Sequence, residues 1–318
     1  MGKIKVISID HGNRHIKTGS HIFPASFVES GYLPSIGKDT IDFDGKEYAL
    51  ADQRMPQKND KTIDNSYYIL TLFAIGKELV DDMDSMAEAS PSGNCTEITL
   101  LIGLPPQHCK EMAPSFAKYF KRDVQQVSFQ YNKVPILFKI ANVCVYPQAY
   151  AAALTVSELF EDSVIANIID IGGFTVDLLQ LVDGSPNMSM CSSQYFGVNL
   201  LFERINDQVR AKTTGKIIPD LIIENLLRSD EKTLRNSSVD RVELVKSTTK
   251  QFARDILLKV SDKGVDLEED STIFVGGGST ILREYIEKSG MVKKPIFADD
   301  IHANANGYRI IYDDIYGA

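Results

Sequence analysis

Residues 164–184 read VIANIIDIGGFTVDLLQLVDG. The first half is an apolar, β-branched run, the mark of a buried strand. It ends on Asp170, turns at Gly172-Gly173, returns in extended form from Thr175, and turns again at Asp183-Gly184. A carboxylate at the end of so apolar a strand needs a cation or a close set of hydrogen bonds, because burying it alone is costly. The two glycines free backbone amides to face a phosphate. A capped tight turn is the plainer reading.

The same skeleton stands 160 residues earlier, about half the chain length: residues 5–19 read KVISIDHGNRHIKTG. An apolar run, an Asp, any residue, a Gly and an extended return are shared. Two such matches at a half-chain interval point to a duplicated architecture. Here the turn carries Asp10, Gly12 and Asn13, with Lys17 on the return strand. Asp10 can reach a hydrated Mg²⁺, and Lys17 supplies a compact charge for phosphate oxygens. An ordinary hairpin with a solvent lysine fits these letters as well.

A third segment, IFVGGGST at 273–280, puts three glycines between a strand and a helix, where a flat ligand or its phosphates can approach the backbone. The dinucleotide fingerprint is absent, because Ile281 stands where the third glycine would fall. The P-loop is absent too, since Gly215-Lys216 is followed by Ile217. Gln148, after a strand and at the start of an expected helix, has the donor and acceptor needed to aim a water at a γ-phosphate. It also suits a solvent-facing helix end.

The bulk properties exclude several classes. The chain has 318 residues and a formal net charge of −9, a poor match to a phosphate backbone. Lys293-Lys294 is the one obvious basic doublet near the end. The N-terminus reads as a strand, without signal-peptide features, and Pro147 and Gln148 break the longest apolar stretch, so a cytoplasmic protein with no membrane span is expected. The four cysteines, at 95, 109, 144 and 191, form no C-x-x-C pair and suit a reducing compartment. His11 and His15 are four apart, but they flank a glycine turn, which argues against helical metal ligation.

Patterning predicts strands over 3–10, 97–104, 124–131, 134–145 and 272–275, with a hairpin return over 14–19. Helices are expected over 66–89, 110–121, 147–160, 198–212, 219–228, 239–263, from the glycines to about 288, and over 303–315. Residues 24–65 read as a small β-rich insertion with an Asp44-Gly45 hairpin turn.

Taken in order, these segments resemble the actin-like ATPases, and most of all the ParM (StbA) group of plasmid-segregation actins. Asp10-x-Gly12-Asn13 with Lys17 resembles the first phosphate loop, IIDIGGFTVDL at 168–178 the second, and FVGGGSTIL at 274–282 the adenosine motif. GLPP at 103–106, YFGVNLL at 195–201 and ANANGY at 303–308 also match ParM-group segments. The resemblance covers nearly the whole chain, with 24–65 and 212–262 matching only in expected structure.

It implies an α/β actin-like fold of two related mixed-sheet domains, each with a smaller subdomain, and a nucleotide cleft between them. The domains would be 1–163, with a subdomain near 24–65, and 164–318, with a helical one near 205–268. ATP (or GTP) and Mg²⁺ are the implied cofactors. Asp10 and Asp170 would orient the hydrated Mg²⁺ and, with Gln148, the attacking water. Gly12, Asn13, Lys17, Gly172, Gly173, Phe174 and Thr175 would bind phosphates, and Gly276, Gly277, Gly278 and Ser279 would lie along the adenosine. Gln148 marks a departure, since some ParM proteins carry Glu there. Gln cannot act as a carboxylate base, so hydrolysis of reduced rate is expected. By the same resemblance the chain polymerises with ATP and moves plasmid DNA through an adaptor protein at a centromere-like site, without touching DNA itself. The alternatives are a small-molecule kinase of the same superfamily and a non-polymerising regulatory ATPase.

Overall fold

The computed structural model describes residues 4–29, 37–51, 55, 58, 60–85, 95–212 and 216–317. Residue 3 of the first expected strand, 30–36, 52–54, 56–57 and 59 of the insertion, 86–89 of the helix begun at 66, and Gly215 lie outside the described residues. The chain divides into two compact units: Met1–Ala152 with Asn304–Ala318, and Ala153–Ala303.

The elements run in chain order as follows. First come β1 (Lys5–His11), β2 (His15–Lys17), β3 (Ile22–Pro24), β4 (Phe27–Glu29), β5 (Thr40–Phe43), β6 (Lys46–Leu50), α1 (Ser66–Ser85), β7 (Thr96–Leu104), α2 (Pro106–Lys121), β8 (Val127–Tyr131), β9 (Val134–Pro147) and α3 (Tyr150–Leu154). Then come β10 (Ile165–Ile171), β11 (Val176–Val182), β12 (Ser185–Gln194), α4 (Val198–Lys212), α5 (Asp220–Leu227), α6 (Glu231–Arg235), α7 (Val239–Ser261), β13 (Ser271–Val275), α8 (Gly277–Glu287), β14 (Pro295–Phe297) and α9 (Ala303–Tyr316).

The sheet of the first unit has the order β3-β2-β1-β7-β9-β8-β5-β6-β4, and that of the second β12-β11-β10-β13-β14. In the first, β1 pairs antiparallel with β2 and parallel with β7, β2 antiparallel with β3, and β7 parallel with β9. In the second, β10 pairs antiparallel with β11 and parallel with β13, β11 antiparallel with β12, and β13 parallel with β14. Both cores therefore follow one plan: a central strand, continued on one side by a two-strand antiparallel meander and on the other by two parallel strands. The duplication legible in the Asp-x-Gly skeleton extends to five strands of each sheet. Residues 24–65 contribute β4, β5 and β6, which β8 joins to the same sheet.

Burial explains the layers. In the first unit Ile7, Ile9, Ile98, Leu100 and Ile102 pack against α1 and α2 in a core that includes Phe73, Phe116 and Phe120. Leu101, Tyr146 and Ala151 pack against Tyr308 of α9. The units differ from a halving at 163/164 in two ways: residues 153–163 belong with the second unit, and α9 from Asn304 onward belongs with the first. A Cβ on Gly307 would lie 1.8 Å from the Ala151 carbonyl oxygen, and one on Gly103 would lie 2.0 Å from Tyr308 Oη, so glycine lets α9 press onto β7 and α3. In the second unit Ile169, Ile171, Val176 and Leu178 pack against α4, α7 and α8.

Two expectations are corrected. The helix over 147–160 is a two-residue turn, the short α3, and a 3-10 turn at Ser157–Leu159. Pro147 is still the last residue of β9, paired with Leu104, and Ala149 is left-handed (φ 59°), which no continuing helix allows. The second helix starts four residues earlier than 110, with Pro106 in its first turn, where a missing amide breaks no helix bond. The polar β12 and the short β14 carried no apolar alternation to announce them.

Candidate functional site

In the first unit β1 delivers Asp10 to the end of the sheet, and the hairpin register sets Asp10 opposite Lys17. Asp10 is only 4% exposed. Lys17 Nζ stands 4.0 Å from Asp10 Oδ2, an ion pair beyond hydrogen-bond length. On the far side of β7, the turn after β9 brings Gln148 back, and its Nε2 donates to Asp10 Oδ1 at 2.9 Å. The Gln148 amide extends the ladder by donating to the Leu104 carbonyl at 2.8 Å, and the Ala149 amide donates to Asn304 Oδ1 at 3.0 Å. A left-handed alanine held at both ends is stored strain, a feature that clusters at functional sites.

The turn between β1 and β2 is tight, and a Cβ on Gly12 would lie 2.5 Å from the His15 carbonyl oxygen. Asn13 Oδ1 accepts from Tyr67 Oη at 2.9 Å. The Lys61 ammonium donates to the His11 carbonyl. His11 itself is a core residue: fully buried, stacked on Phe120 at 4.7 Å, its Nε2 bound to Thr71 Oγ1 at 2.7 Å. Thr71 Oγ1 donates to the Tyr67 carbonyl, so the imidazole Nε2 carries the proton. Burial, with the Lys61 charge adding to it, holds the His11 pKa well below its ordinary value. His15 sits on β2, so the two histidines share no helix. Among the described residues, no three His, Cys, Asp or Glu side chains gather to ligate a metal directly.

The second unit repeats the arrangement. The register sets Asp170 opposite Asp177, the counterpart of Asp10 opposite Lys17. The carbonyls of Gly172, Gly173 and Phe174 accept from the amides of Val198, Asn199 and Gly197 at 3.1, 2.9 and 2.9 Å. Each trans peptide points its N–H opposite its C=O. The Gly173, Phe174 and Thr175 amides therefore face away from α4, a concave set of donors suited to an anion. Gly197 makes this possible, since a Cβ there would lie 2.5 Å from the Gly173 carbonyl. Thr175 Oγ1 donates to Asp177 Oδ2 at 3.1 Å.

The third glycine segment closes on the second. Gly276 has φ 86°, and a Cβ on it would lie 2.2 Å from Asp170 Oδ1; one on Gly278 would lie 2.6 Å from the Ile171 carbonyl oxygen. Gly277 faces open space. Ser279 is buried, with its Oγ donating to the Gly276 carbonyl at 2.6 Å, so its hydroxyl secures the helix start. The structure thus gathers Asp10, Lys17 and Gln148 in one unit, and Asp170, Gly172–Thr175 and Gly276–Gly278 in the other. Sequence reasoning missed Lys61, Tyr67 and Asn304. Only Asn304, inside ANANGY, carried a signal.

Fold and strand-end geometry define an actin-like fold: two units on one sheet plan, each closing its central strand with an Asp before a glycine turn. A family model described as the C-terminal part of an archaeal MreB-like actin homologue matches residues 168–288. The structure is similar to that of Ta0583, an archaeal actin homolog, at TM-score 0.73 and 18% identity over 98% of this chain and 100% of that one. Ta0583 has also been crystallised with ADP, and that structure matches at TM-score 0.73 and 19% identity over 98% and 100% of the two chains. A ParM from a 15-stranded filament of Clostridium botulinum matches at TM-score 0.75 and 17% identity, again over 98% and 100%. The subunit of the Alp12 filament matches at 0.67 and 16% over 99% and 100%. No match was found among curated protein sequences. The resemblance to ParM-type actin homologues read from the sequence is borne out at the level of the fold. Among the described residues no helix is long and apolar enough to cross a membrane.

Proposed function

We propose that this chain is an actin-like ATPase that binds ATP with Mg²⁺, hydrolyses it and assembles into filaments. The observation that carries the chemistry is the Gln148–Asp10 bond. A nearly buried carboxylate keeps one oxygen on an amide donor, while the other has Lys17 only at 4.0 Å. Such a carboxylate fits a hydrated cation, because a buried charge needs a partner closer than that. Mg²⁺ would neutralise charge on the phosphates when bound. Asp10 and Asp170 would hold it through water. Gln148 would orient the attacking water, as an amide can without serving as base. The amides of 173–175 and Lys17 would take phosphate oxygens. Gly276–Gly278 would lie along the adenosine.

Assembly is supported by the shared fold with the Clostridium ParM and Alp12, both structures of filaments, and nucleotide binding by the ADP complex of Ta0583. The finer reading is plasmid segregation through a DNA-binding adaptor. The net charge of −9 favours such an indirect link over contact with DNA. Light scattering on addition of ATP and Mg²⁺ tests the proposal. It should rise above a critical concentration and fall as phosphate is released. A chain that stays monomeric while hydrolysing ATP is a regulatory ATPase, and one that turns over only with an added metabolite is a kinase.

A further inference from the structure

The two units treat the end of their central strand differently. In the second, the start of α8 approaches the Ile171 carbonyl so closely that a Cβ on Gly278 would lie 2.6 Å from its oxygen. In the first, the matching passage from β7 into α2 runs through Pro105 and Pro106, which have no N–H to offer. His11 lies beyond the last β1–β7 pairing, Ile9 with Ile102, so its carbonyl has no ladder partner on that side. A backbone acceptor at a buried residue needs one. Lys61, from the segment before α1, supplies the bond. The same lysine sits 5.4 Å from the centre of the Tyr67 ring, and Tyr67 Oη in turn holds Asn13 Oδ1. The turn 11–13 is thus gripped on both sides of Gly12 from one place, the start of α1.

We propose that Lys61 and Tyr67 are positioning residues for the first phosphate turn: Lys61 fixes the His11–Gly12 peptide, Tyr67 fixes Asn13, and together they set the Asp10 carboxylate for hydrolysis. This rests on the nucleotide reading of the same turn. Lys61 acts through the backbone next to Asp10, so its loss misplaces a reacting group more than it removes binding. A displacement of about 1 Å at a reacting centre lowers turnover about 100-fold.

The test compares wild type, Lys61→Met, Lys61→Arg and Tyr67→Phe for MgATP affinity, turnover and thermal stability. Lys61→Met should keep affinity within about threefold and lose turnover by about tenfold or more, with Lys61→Arg recovering most of it. Tyr67→Phe keeps the ring and should lose turnover by a smaller factor at unchanged affinity. Turnover within twofold of wild type in folded Lys61→Met and Tyr67→Phe overturns the proposal. So does a parallel loss of affinity, turnover and stability that Lys61→Arg fails to rescue, which marks a structural role. A wild-type chain that binds no nucleotide removes the reading of the site itself, and this inference with it.

Discussion

Gln148 donates to Asp10 across the end of β7, over 2.9 Å, although 138 residues separate the two in the chain. The bond exists because β1, β7 and β9 lie side by side and because Ala149 takes a left-handed conformation that turns the chain before α3. If Gln148 orients water while Asp10 holds the cation, its loss affects the reaction and spares the bound state. Gln148→Ala should lower ATP turnover by about 10- to 100-fold and change nucleotide affinity by less than about threefold. Equal losses in both, measured by phosphate release and by titration with a fluorescent nucleotide, would make Gln148 a binding residue.

The second unit offers a test of its own. Asp170 Oδ1 occupies the space that any side chain at Gly276 would need, and Gly276 has φ 86°. Gly276→Ala therefore displaces the carboxylate and strains the backbone. It should destabilise the protein by about 1–3 kcal/mol in urea unfolding and weaken nucleotide binding. Asp170→Ala should retain binding better than turnover. Turnover that survives Asp170→Ala removes this carboxylate from the reaction.

How much of this was legible in the sequence follows from the range of each interaction. The spacing from Asp10 to Lys17 and from Asp170 to Asp177 is local, and each pair sits at one hairpin rung, so the duplicated turn could be read directly. The glycines could be read too, since φ 86° at Gly276 leaves little choice of residue. Lys61 could not. It is a lone lysine in a polar stretch, and its partner is a carbonyl 50 residues away. The turn at Gln148-Ala149 was hidden for a similar reason: a run of alanines predicts helix, and only the Leu104 and Asn304 contacts force the left-handed residue. β12 was hidden because its SPNMSMCSSQ has no alternation, its register set by pairing with β11 alone.

Asp39 provides a pH-dependent element away from the site. Burial pushes its carboxyl up, but bonds from Lys77 and Asn132 outweigh burial and hold its pKa below the ordinary value. A carboxyl lowered by folding stabilises the protein above its unfolded pKa, and that contribution is lost as pH falls through the folded value. Asp39→Asn keeps an acceptor for Asn132 and removes the charge that faces Lys77. At pH 7 it should cost about 1 kcal/mol, reduced by the partial exposure of the pair. The gap to wild type should close as the solution is taken below the usual carboxylate range. Urea unfolding in neutral and strongly acidic buffer measures both, and a gap that persists in acid means packing, not charge, holds Asp39.

The C-terminal helix provides the last test, because α9 also supports the Gln148 turn. Asn304, in its first turn, accepts the Ala149 amide at 3.0 Å, and Tyr308, one turn on, is fully buried against β7. A Cβ on Gly103 would lie 2.0 Å from Tyr308 Oη and 2.4 Å from Cζ, both atoms of a ring with no room to withdraw. Gly103→Ala should therefore lift α9 and destabilise the protein by about 1–3 kcal/mol. Asn304→Ala leaves that packing intact and removes the one side-chain acceptor that holds Ala149. It should cost about 1 kcal/mol of stability. If α9 steadies Gln148, it should also lower turnover at unchanged nucleotide affinity, in the same pattern as Gln148→Ala and by a smaller factor. Unaltered turnover in a destabilised Asn304→Ala protein would confine α9 to the architecture of the first unit.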